Sequence, residues 1–171
     1  LLTITGSGSL TAQGSFNCAG IGTDSNGSGG NIVINGGTVT ATGGNNGAGI
    51  GTGRAQNATN TCGDSTINGG TVIAQGVNVG AGIGTGLSVQ STGSSSSNTC
   101  GAITIGTSVI SVTANKSSGS NPAPNSIGKG RESNGGTQAC GTITIGGTIY
   151  WDGSSYQNGG ETYLVNDITI A

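Results

Sequence analysis

The chain has 171 residues, of which 38 are glycine, four are cysteine and none is histidine or methionine. Charged residues make up 6% of the chain and the net charge is −2, which excludes a basic surface for nucleic acid. The absence of histidine excludes imidazole-based triads and histidine-ligated zinc. No segment approaches the ~20 apolar residues needed for membrane insertion as a spanning helix.

Short runs of alternating apolar residues recur in a fixed order, which favours an ordered β protein over a disordered chain. The first copy is "TITGSGSLTAQGSFNCAGIGT" at 3–23. Two nearly identical copies follow, "IVINGGTVTATGGNNGAGIGTG" at 32–53 and "STINGGTVIAQGVNVGAGIGTG" at 65–86. A fourth copy at 103–130 contains insertions, a fifth covers 143–160, and "DITIA" at 167–171 opens a sixth. Each copy contains short β segments, so the repeat is one supersecondary unit.

The repeats predict an all-β, single-domain parallel β-helix (β-solenoid) over residues 1–171, with about five coils of three short strands and right-handed coiling expected. The predicted coils cover about 1–29, 30–62, 63–100, 101–140 and 141–166, with a sixth begun at 167–171. Alternation places apolar side chains in inward rows. These rows are Leu10, Val39, Val72, Val112 and Ile149; Ala12, Ala41, Ala74 and Ala114; and Ile21, Ile50, Ile83 and Ile127.

The glycine-rich segment "GAGIGTG", at 47–53 and again at 80–86, superficially matches a dinucleotide-binding loop. Such a loop needs a preceding strand, a following helix and an acidic residue ~20 positions further on. No segment with helical periodicity follows any copy. We therefore interpret these glycines as tight corners where neighbouring coils approach closely, and we expect no cofactor.

Three cysteines occupy equivalent places in successive repeats, because Cys62, Cys100 and Cys140 each precede a glycine and an "ITI"-type strand. Stacked coils place equivalent residues about 4.8 Å apart, within the Cα range of ~4.4–6.8 Å that a disulfide accepts. Cys62–Cys100 and Cys100–Cys140 are both feasible, but not together, and the sequence leaves the choice open. Cys18 replaces a glycine on another side of the coil and has no evident partner. The even cysteine count favours an oxidising, extracellular setting.

The carboxylates recur at no equivalent position of the repeats. They are Asp24, Asp64, Glu132, Asp152, Glu161 and Asp167. Polysaccharide-cleaving β-helix enzymes need a pair of acids on one face, for which Asp152 and Glu161 are the candidates, and we favour solvated loop acids instead. A calcium-binding nonapeptide array needs an aspartate in every repeat. The sequence therefore predicts neither an enzyme nor a metal site.

The outward face of the second strand carries a row of hydroxyl side chains. The row consists of Ser9, Thr38, Thr71, Ser111 and Thr148. Regular threonine arrays on solenoids can order water and bind ice. The neighbouring outward row, which contains Thr11, Thr40 and Thr113, is broken by Ile73 and Tyr150, and threonine is a good strand residue on any solvent face. Ice binding is therefore a minor alternative.

Three sequons are candidate N-glycosylation sites, because Asn26, Asn57 and Asn115 each begin an Asn-x-Ser/Thr triplet in a predicted loop. Such triplets arise often by chance in a chain rich in asparagine and threonine. The sequence leaves their occupancy open.

The repeat "NIVINGGTVTATGGNNGAGIGTG" at 31–53 resembles the Gly-rich "ITI-GGTVTATGG-GAGIG" repeats of secreted bacterial cell-surface and adhesin-like proteins. The resemblance covers residues ~30–86 well, 3–23 fairly, and the remainder only through the "ITI" strands. It implies a β-solenoid located outside the cell or at its surface, in a class of which some members are described as carbohydrate-binding. No catalytic residue comes with the resemblance.

We therefore expect a structural extracellular β-solenoid rather than an enzyme, either a subunit of a surface fibre or filament or a segment of a long cell-surface protein. The chain begins without methionine or a signal peptide, so we expect a processed product or part of something longer. Neither end shows a helix or a charged cap, which favours head-to-tail self-association through open solenoid ends.

The alternative is a glycan-binding adhesin module. It would use Trp151, Tyr150 and Tyr156, the aromatic cluster of the fifth repeat, as a stacking platform. The same side chains are candidates for covering the end of the thin core or for a subunit contact, and we prefer that interpretation.

Overall fold

The computed structural model describes residues 1–91, 93–117 and 123–171, and it confirms the parallel β-helix. The strands in chain order are β1 Leu2–Ile4, β2 Ser9–Gln13, β3 Ile21–Gly22, β4 Ile32–Ile34, β5 Thr38–Thr42, β6 Ile50–Gly51, β7 Ala55–Gln56, β8 Thr59–Cys62, β9 Ser65–Ile67, β10 Gly70–Gln75, β11 Ile83–Gly84, β12 Ser88–Val89, β13 Ser97–Cys100, β14 Ile103–Ile105, β15 Val109–Asn115, β16 Ile127–Gly128, β17 Glu132–Ser133, β18 Thr137–Cys140, β19 Ile143–Ile145, β20 Thr148–Trp151 and β21 Ile168–Ile170. One helical turn, α1, covers Gly160–Tyr163. None of the described residues forms a helix long and apolar enough to cross a membrane.

Equivalent strands of successive coils stack into sheets that run along the helix axis. Sheet A contains β1, β4, β9, β14, β19 and β20; sheet B contains β2, β5, β10, β15 and β21; and sheet C contains β3, β6, β11 and β16. The strands expected from the repeats are those of sheets A to C. The segments between the repeats add two shorter sheets, D (β8, β13, β18) and E (β7, β12, β17). The insertions therefore lengthen each coil by continuing its wall.

The core is a column of aliphatic side chains stacked coil upon coil. The predicted valine row is in register, with Val39 opposite Val72 and Val72 opposite Val112, and all three are buried. The isoleucine row of sheet C is buried in the same way, and so is the alanine row of sheet B except for the partly buried Ala12 of the first strand. Leu10 lies in the valine row but is 40% exposed, because β2 is the first strand of sheet B. Each fully buried isoleucine contributes roughly 1.5–3 kcal/mol relative to an exposed one.

Asparagines stack at one corner of the coil, between sheets B and C. Asn17, Asn46 and Asn78 adopt left-handed backbone conformations with φ of 66°, 68° and 59°. The Nδ2 of Asn46 donates to Oδ1 of Asn17 at 2.9 Å, and the Nδ2 of Asn78 donates to Oδ1 of Asn46 at 2.6 Å. Asparagine tolerates this conformation better than other residues with a side chain, and the amide ladder holds the corners in register.

The last repeat does not form a coil, so the prediction of a coil over 141–166 is wrong beyond its first strand. β19 continues sheet A in parallel with β14, and then Gly146 and Gly147, with φ of 57° and 84°, reverse the chain. β20 therefore pairs with β19 in antiparallel orientation. The second and third copies have "NGG" at this corner, whereas the last has only two glycines. Two residues with positive φ are the loop of a type I′ hairpin.

Other predictions for this end are wrong for the same reason. Ile149 is not part of the valine row; it lies opposite Thr144 in sheet A and is exposed. Thr148 and Tyr150 likewise lie in sheet A and not in the outward rows of sheet B.

The segment "DITIA" does not open a sixth coil. β21 pairs with β15 in antiparallel orientation, which places Ile170 opposite Val112. The alternation in "ITI" is the same when it is read in either direction. The pattern therefore predicts a strand but does not determine its orientation.

Candidate functional site

The C-terminal end of the β-helix is closed by residues 148–170. β20 covers the edge of sheet A, and β21 covers the edge of sheet B. Leu164, just after α1, covers sheet C: its side chain is fully buried and its carbonyl accepts the N–H groups of Ser126 (2.8 Å) and Ile127 (3.3 Å). The expectation that neither end has a cap is therefore wrong for this end, since all three main sheets are covered.

The predicted aromatic cluster is divided between two ring pairs within this cap. Tyr150 stacks on Tyr163, which was not part of the prediction, with ring centroids 4.5 Å apart and planes 12° apart. Burial raises the pKa of Tyr163, and the neighbouring Tyr150 adds to this shift. The stacking of these two rings packs α1 against β20.

Trp151 and Tyr156 form the second pair, edge to face, with ring centroids 5.1 Å apart. The indole N–H of Trp151 donates to the carbonyl of Cys140 at 3.1 Å, and Lys129 Nζ lies 5.1 Å from the indole centroid. Tyr156 OH accepts a hydrogen bond from Asn125 at 2.9 Å. These contacts hold the hairpin against the end of the core. Glycan stacking on Trp151, Tyr150 and Tyr156 stays a prediction.

The N-terminal end is open. β1, β2 and β3 are the first strands of sheets A, B and C, and no described strand lies beyond them. The large apolar side chains exposed here are Leu1, Leu2, Leu10 and Phe16. Cavities of about 230 and 160 Å³ flank β1 at this end. Asp24 is the one charged side chain of residues 1–30, so this end carries almost no side-chain charge.

The three equivalent cysteines stack as predicted, with Cys62 opposite Cys100 and Cys100 opposite Cys140 in sheet D. A disulfide joins Cys100 to Cys140, whose Cα atoms are 4.8 Å apart. Cys62 is a buried free thiol, and burial, reinforced by the nearby Asp64, raises its pKa to about 11. Cys18 is also free, and its Sγ lies 3.2 Å from the hydroxyl oxygen of a neighbouring serine.

Several carboxylates accept hydrogen bonds from backbone N–H groups. Asp64, Glu132 and Asp167 each accept one backbone N–H, at 2.8–2.9 Å. Asp152 accepts the N–H groups of Ser154 and Ser155, both at 2.8 Å, and these bonds lower the pKa of Asp152. Among the residues described, no group of three or more cysteine, aspartate or glutamate side chains is placed to hold a metal ion.

The sequon asparagines lie at the edges of the coils. Asn26 and Asn57 have left-handed backbones, with φ of 58° and 51°. The Oδ1 of each accepts a backbone N–H of the next coil at 2.7 Å. Asn115 is the last residue of β15. Glycosylation of these residues stays a prediction.

Two columns of hydroxyl residues lie on the outward face of sheet B. Ser9, Thr38, Thr71 and Ser111 are in register, as predicted. In the second column Thr11, Thr40, Ile73 and Thr113 are followed by Thr169 of the cap, in the place that was predicted for Tyr150. Ile73 is exposed and interrupts this column. Ice binding stays the minor alternative.

The sequence analysis missed a buried polar ladder between sheets C and D. The Thr23 hydroxyl donates to Oδ1 of Asn60 at 2.7 Å, and Asn60 Nδ2 donates to the carbonyl of Asp24 at 2.9 Å. Asn98 and Gln138 occupy the place of Asn60 in the next two coils, and they donate to backbone carbonyls at 2.8 and 2.7 Å. The signal was present in the sequence, as a threonine after "GIG" and an amide two residues before each stacked cysteine.

Comparison with known proteins agrees with this architecture. A model of the beta helix repeat matches the chain at residues 2–31, 32–54 and 66–87. These segments contain the copies without long insertions, and the later copies, which carry insertions or the hairpin, lie outside them. Searches of curated proteins and of solved structures give no significant match. The chain is therefore similar to the beta helix repeat in its first three repeats, and its fold is a parallel β-helix.

Proposed function

We propose that the chain is a non-catalytic structural β-helix that works outside the cell, as part of a surface fibre or of a long cell-surface protein. The observation that carries this proposal is the difference between the two ends. The cap covers the last strands of sheets A, B and C at the C-terminal end, whereas the first strands of these three sheets are uncovered at the N-terminal end, where apolar side chains are exposed. An uncovered edge is a template for pairing with another strand, so the open end is where the β-helix joins another molecule or coil.

The hydrogen bonds that the carboxylate and asparagine side chains make within the coil support a structural role. Asp64, Glu132 and Asp167 bond backbone N–H groups of the coil, and the asparagines form ladders at its corners. Side chains that stabilise the coil in this way are not free for acid–base chemistry. The Cys100–Cys140 disulfide fits the oxidising environment outside the cell.

The location is tested by labelling intact and permeabilised cells that produce the protein with an antibody against the folded β-helix. We expect equal labelling of both, together with an intact Cys100–Cys140 disulfide in protein recovered under thiol-blocking conditions. Labelling that requires permeabilisation, with Cys100 and Cys140 recovered as thiols, would refute an extracellular role.

The glycan-binding adhesin is the second candidate, and the partial exposure of Tyr156 beside Lys129 and Trp151 is what favours it. A glycan array with the wild-type chain and a Tyr156→Ala variant tests it. Binding that Tyr156→Ala abolishes would establish the adhesin, and no binding by the wild type would remove it.

A further inference from the structure

We propose that the disulfide of sheet D moves between two positions, Cys100–Cys140 and Cys62–Cys100, by thiol–disulfide exchange with the free thiol of Cys62. In the first position it ties the strand below the cap to the coil before it, and in the second it ties the two preceding coils to each other. This is a conformational device of the fold, and it does not rest on the proposed location of the protein.

The two steps along the three stacked cysteines have the same backbone geometry. Cys62 lies opposite Cys100, and Cys100 lies opposite Cys140, in one parallel sheet. The N–H of Gly101 donates to the carbonyl of Cys62 at 3.0 Å, and the N–H of Gly141 donates to the carbonyl of Cys100 at the same distance. The Cα separation of 4.8 Å that permits the Cys100–Cys140 disulfide is the spacing of neighbouring strands. The backbone therefore accepts a disulfide at either step.

The unfolded chain favours neither position. Cys100 and Cys140 are 40 residues apart, and Cys62 precedes Cys100 by nearly the same interval. The entropy that a disulfide removes from the unfolded chain grows only with the logarithm of the loop length. Because the two loops are so similar, both pairings stabilise the fold by nearly the same amount.

The Cys62 side chain occupies the same place in its coil as the Cys140 side chain. Cys62 Sγ is 3.7 Å from the carbonyl oxygen of Gly30, and Cys140 Sγ is 3.8 Å from that of Gly101, the equivalent glycine two coils further on. Both sulfur atoms therefore lie against the preceding coil. Exchange begins with a rotation of the Cys62 side chain about χ1 toward Cys100, a change between staggered rotamers that leaves the backbone in place.

The exchange consumes no oxidant and no reductant. Cys62 loses its proton to water or hydroxide, and the thiolate attacks Sγ of Cys100, so that a new S–S bond forms as the Cys100–Cys140 bond breaks. Cys140 leaves as a thiolate and takes up a proton, and the three cysteines keep one disulfide and one thiol. Burial, reinforced by Asp64, raises the pKa of Cys62 to about 11, so the reaction is slow near neutral pH. All three cysteines are buried, which confines the exchange to one chain.

The position of the disulfide determines how the cap is held. Cys140 lies below the cap, where it lines a small cavity with Trp151, Tyr156 and Leu164, and its carbonyl accepts the indole N–H of Trp151 at 3.1 Å. With the Cys100–Cys140 disulfide, the strand that carries these contacts is covalently joined to β13. After exchange this strand is held by hydrogen bonds and packing alone, so the cap opens more easily.

Interconversion of the two disulfide isomers tests the proposal directly. Cys18→Ser removes the other thiol, and the Cys100–Cys140 isomer is isolated by reversed-phase chromatography at about pH 2, where thiolate is too scarce for exchange. The isomer is refolded at about pH 5, moved to about pH 9, sampled over time, quenched in acid and mapped for thiols. We expect thiol to appear at Cys140 as it disappears from Cys62, until roughly a tenth to a half of the chains have the second pairing. The rate should not depend on protein concentration.

The matched control is Cys62→Ser in the same background, in which Cys100 and Cys140 should stay paired. If Cys18→Ser does not fold, the wild type alkylated at Cys18 in the native state replaces it. The proposal is overturned if the folded Cys100–Cys140 isomer keeps Cys140 fully paired, or if Cys140 becomes a thiol equally fast in the control. A rate that rises in proportion to protein concentration would equally overturn it, because the exchange would then run between chains.

The effect on the cap is measured on two locked variants of the Cys18→Ser chain. Cys62→Ser permits only Cys100–Cys140, and Cys140→Ser permits only Cys62–Cys100. We expect the indole N–H of Trp151, the single tryptophan, to exchange with solvent at least about tenfold faster in oxidised Cys140→Ser. Reduction of the disulfide should remove most of this difference. Equal exchange in the two oxidised variants, or a difference that survives reduction, would refute control of the cap by the disulfide.

Discussion

Replacing Gly51 by alanine tests how closely the coils approach at the "GAGIGTG" corner. Gly51 has φ of +129°, and an added Cβ would lie 2.9 Å from the carbonyl carbon of Gly84 in the next coil and closer still to its oxygen. The backbone strain costs about 1–3 kcal/mol, and relieving the contact must separate two coils whose Ile50 and Ile83 are fully buried. We expect Gly51→Ala to lower the free energy of unfolding by more than about 3 kcal/mol.

Gly6→Ala is the matched control. Gly6 also has a positive φ, +101°, but an added Cβ there meets no atom within 4 Å. It therefore measures backbone strain without contact between coils, at a cost of about 1 kcal/mol or slightly more. Urea unfolding followed by far-UV circular dichroism gives both values. If the two variants lost the same stability, the close stacking of Gly51 on Gly84 would be wrong.

Three further predictions concern the thiols and the cap. Because burial raises the pKa of Cys62 to about 11, iodoacetamide at pH 8 should modify Cys18 and spare Cys62 in the native chain, and both should react after unfolding; rapid native modification of Cys62 would contradict its burial. Cys140→Ser should move the disulfide to Cys62–Cys100, since Cys62 and Cys100 are neighbours in register, and peptide mapping that finds both as thiols after oxidative refolding would argue against this register. Asp152→Asn should lower stability at pH 7, because hydrogen bonds lower the folded-state pKa of Asp152, and the deficit should shrink as the pH falls below about 4, where the wild-type carboxylate begins to lose that advantage. A deficit in thermal midpoint that does not change between pH 7 and pH 2 would count against the role given to Asp152.

The fold was predictable because aligning the repeated segments shows which residues of successive coils lie side by side. Aligning the copies places Val39, Val72 and Val112 in one row, and a shift of one residue in this alignment would turn a valine to solvent. The partial exposure of Leu10 was also predictable, because Leu10 belongs to the first copy and no described strand of sheet B lies beyond it. The path of the last repeat was not predicted correctly. Its corner after β19 has one residue fewer than the "NGG" corners of the second and third copies, and it forms a hairpin. The strand β19 itself keeps the same alternation as in the other copies, so the pattern gave no sign of the change.

The candidate site was only partly predictable. The stacking of the three cysteines follows from the repeat, but Cys100 has an equivalent cysteine on either side, so the repeat itself does not choose between the two pairings. The cap was missed because Leu164 lies outside the repeated pattern and no other copy has an equivalent leucine. Tyr163 was missed for the same reason, and with it the division of the aromatic cluster into two pairs.

Amide hydrogen exchange at the two ends of sheet B tests the central claim, that one end is closed and the other is open for association. Val112 and Ala114 present their N–H groups to β21, whereas Thr11 and Gln13 present theirs to the open end. We predict that exchange at Val112 and Ala114 is slow at every protein concentration. Exchange at Thr11 and Gln13 should be fast, because no described strand lies beyond β2 in sheet B. Exchange at Val112 as fast as at Thr11 in dilute solution would contradict the account.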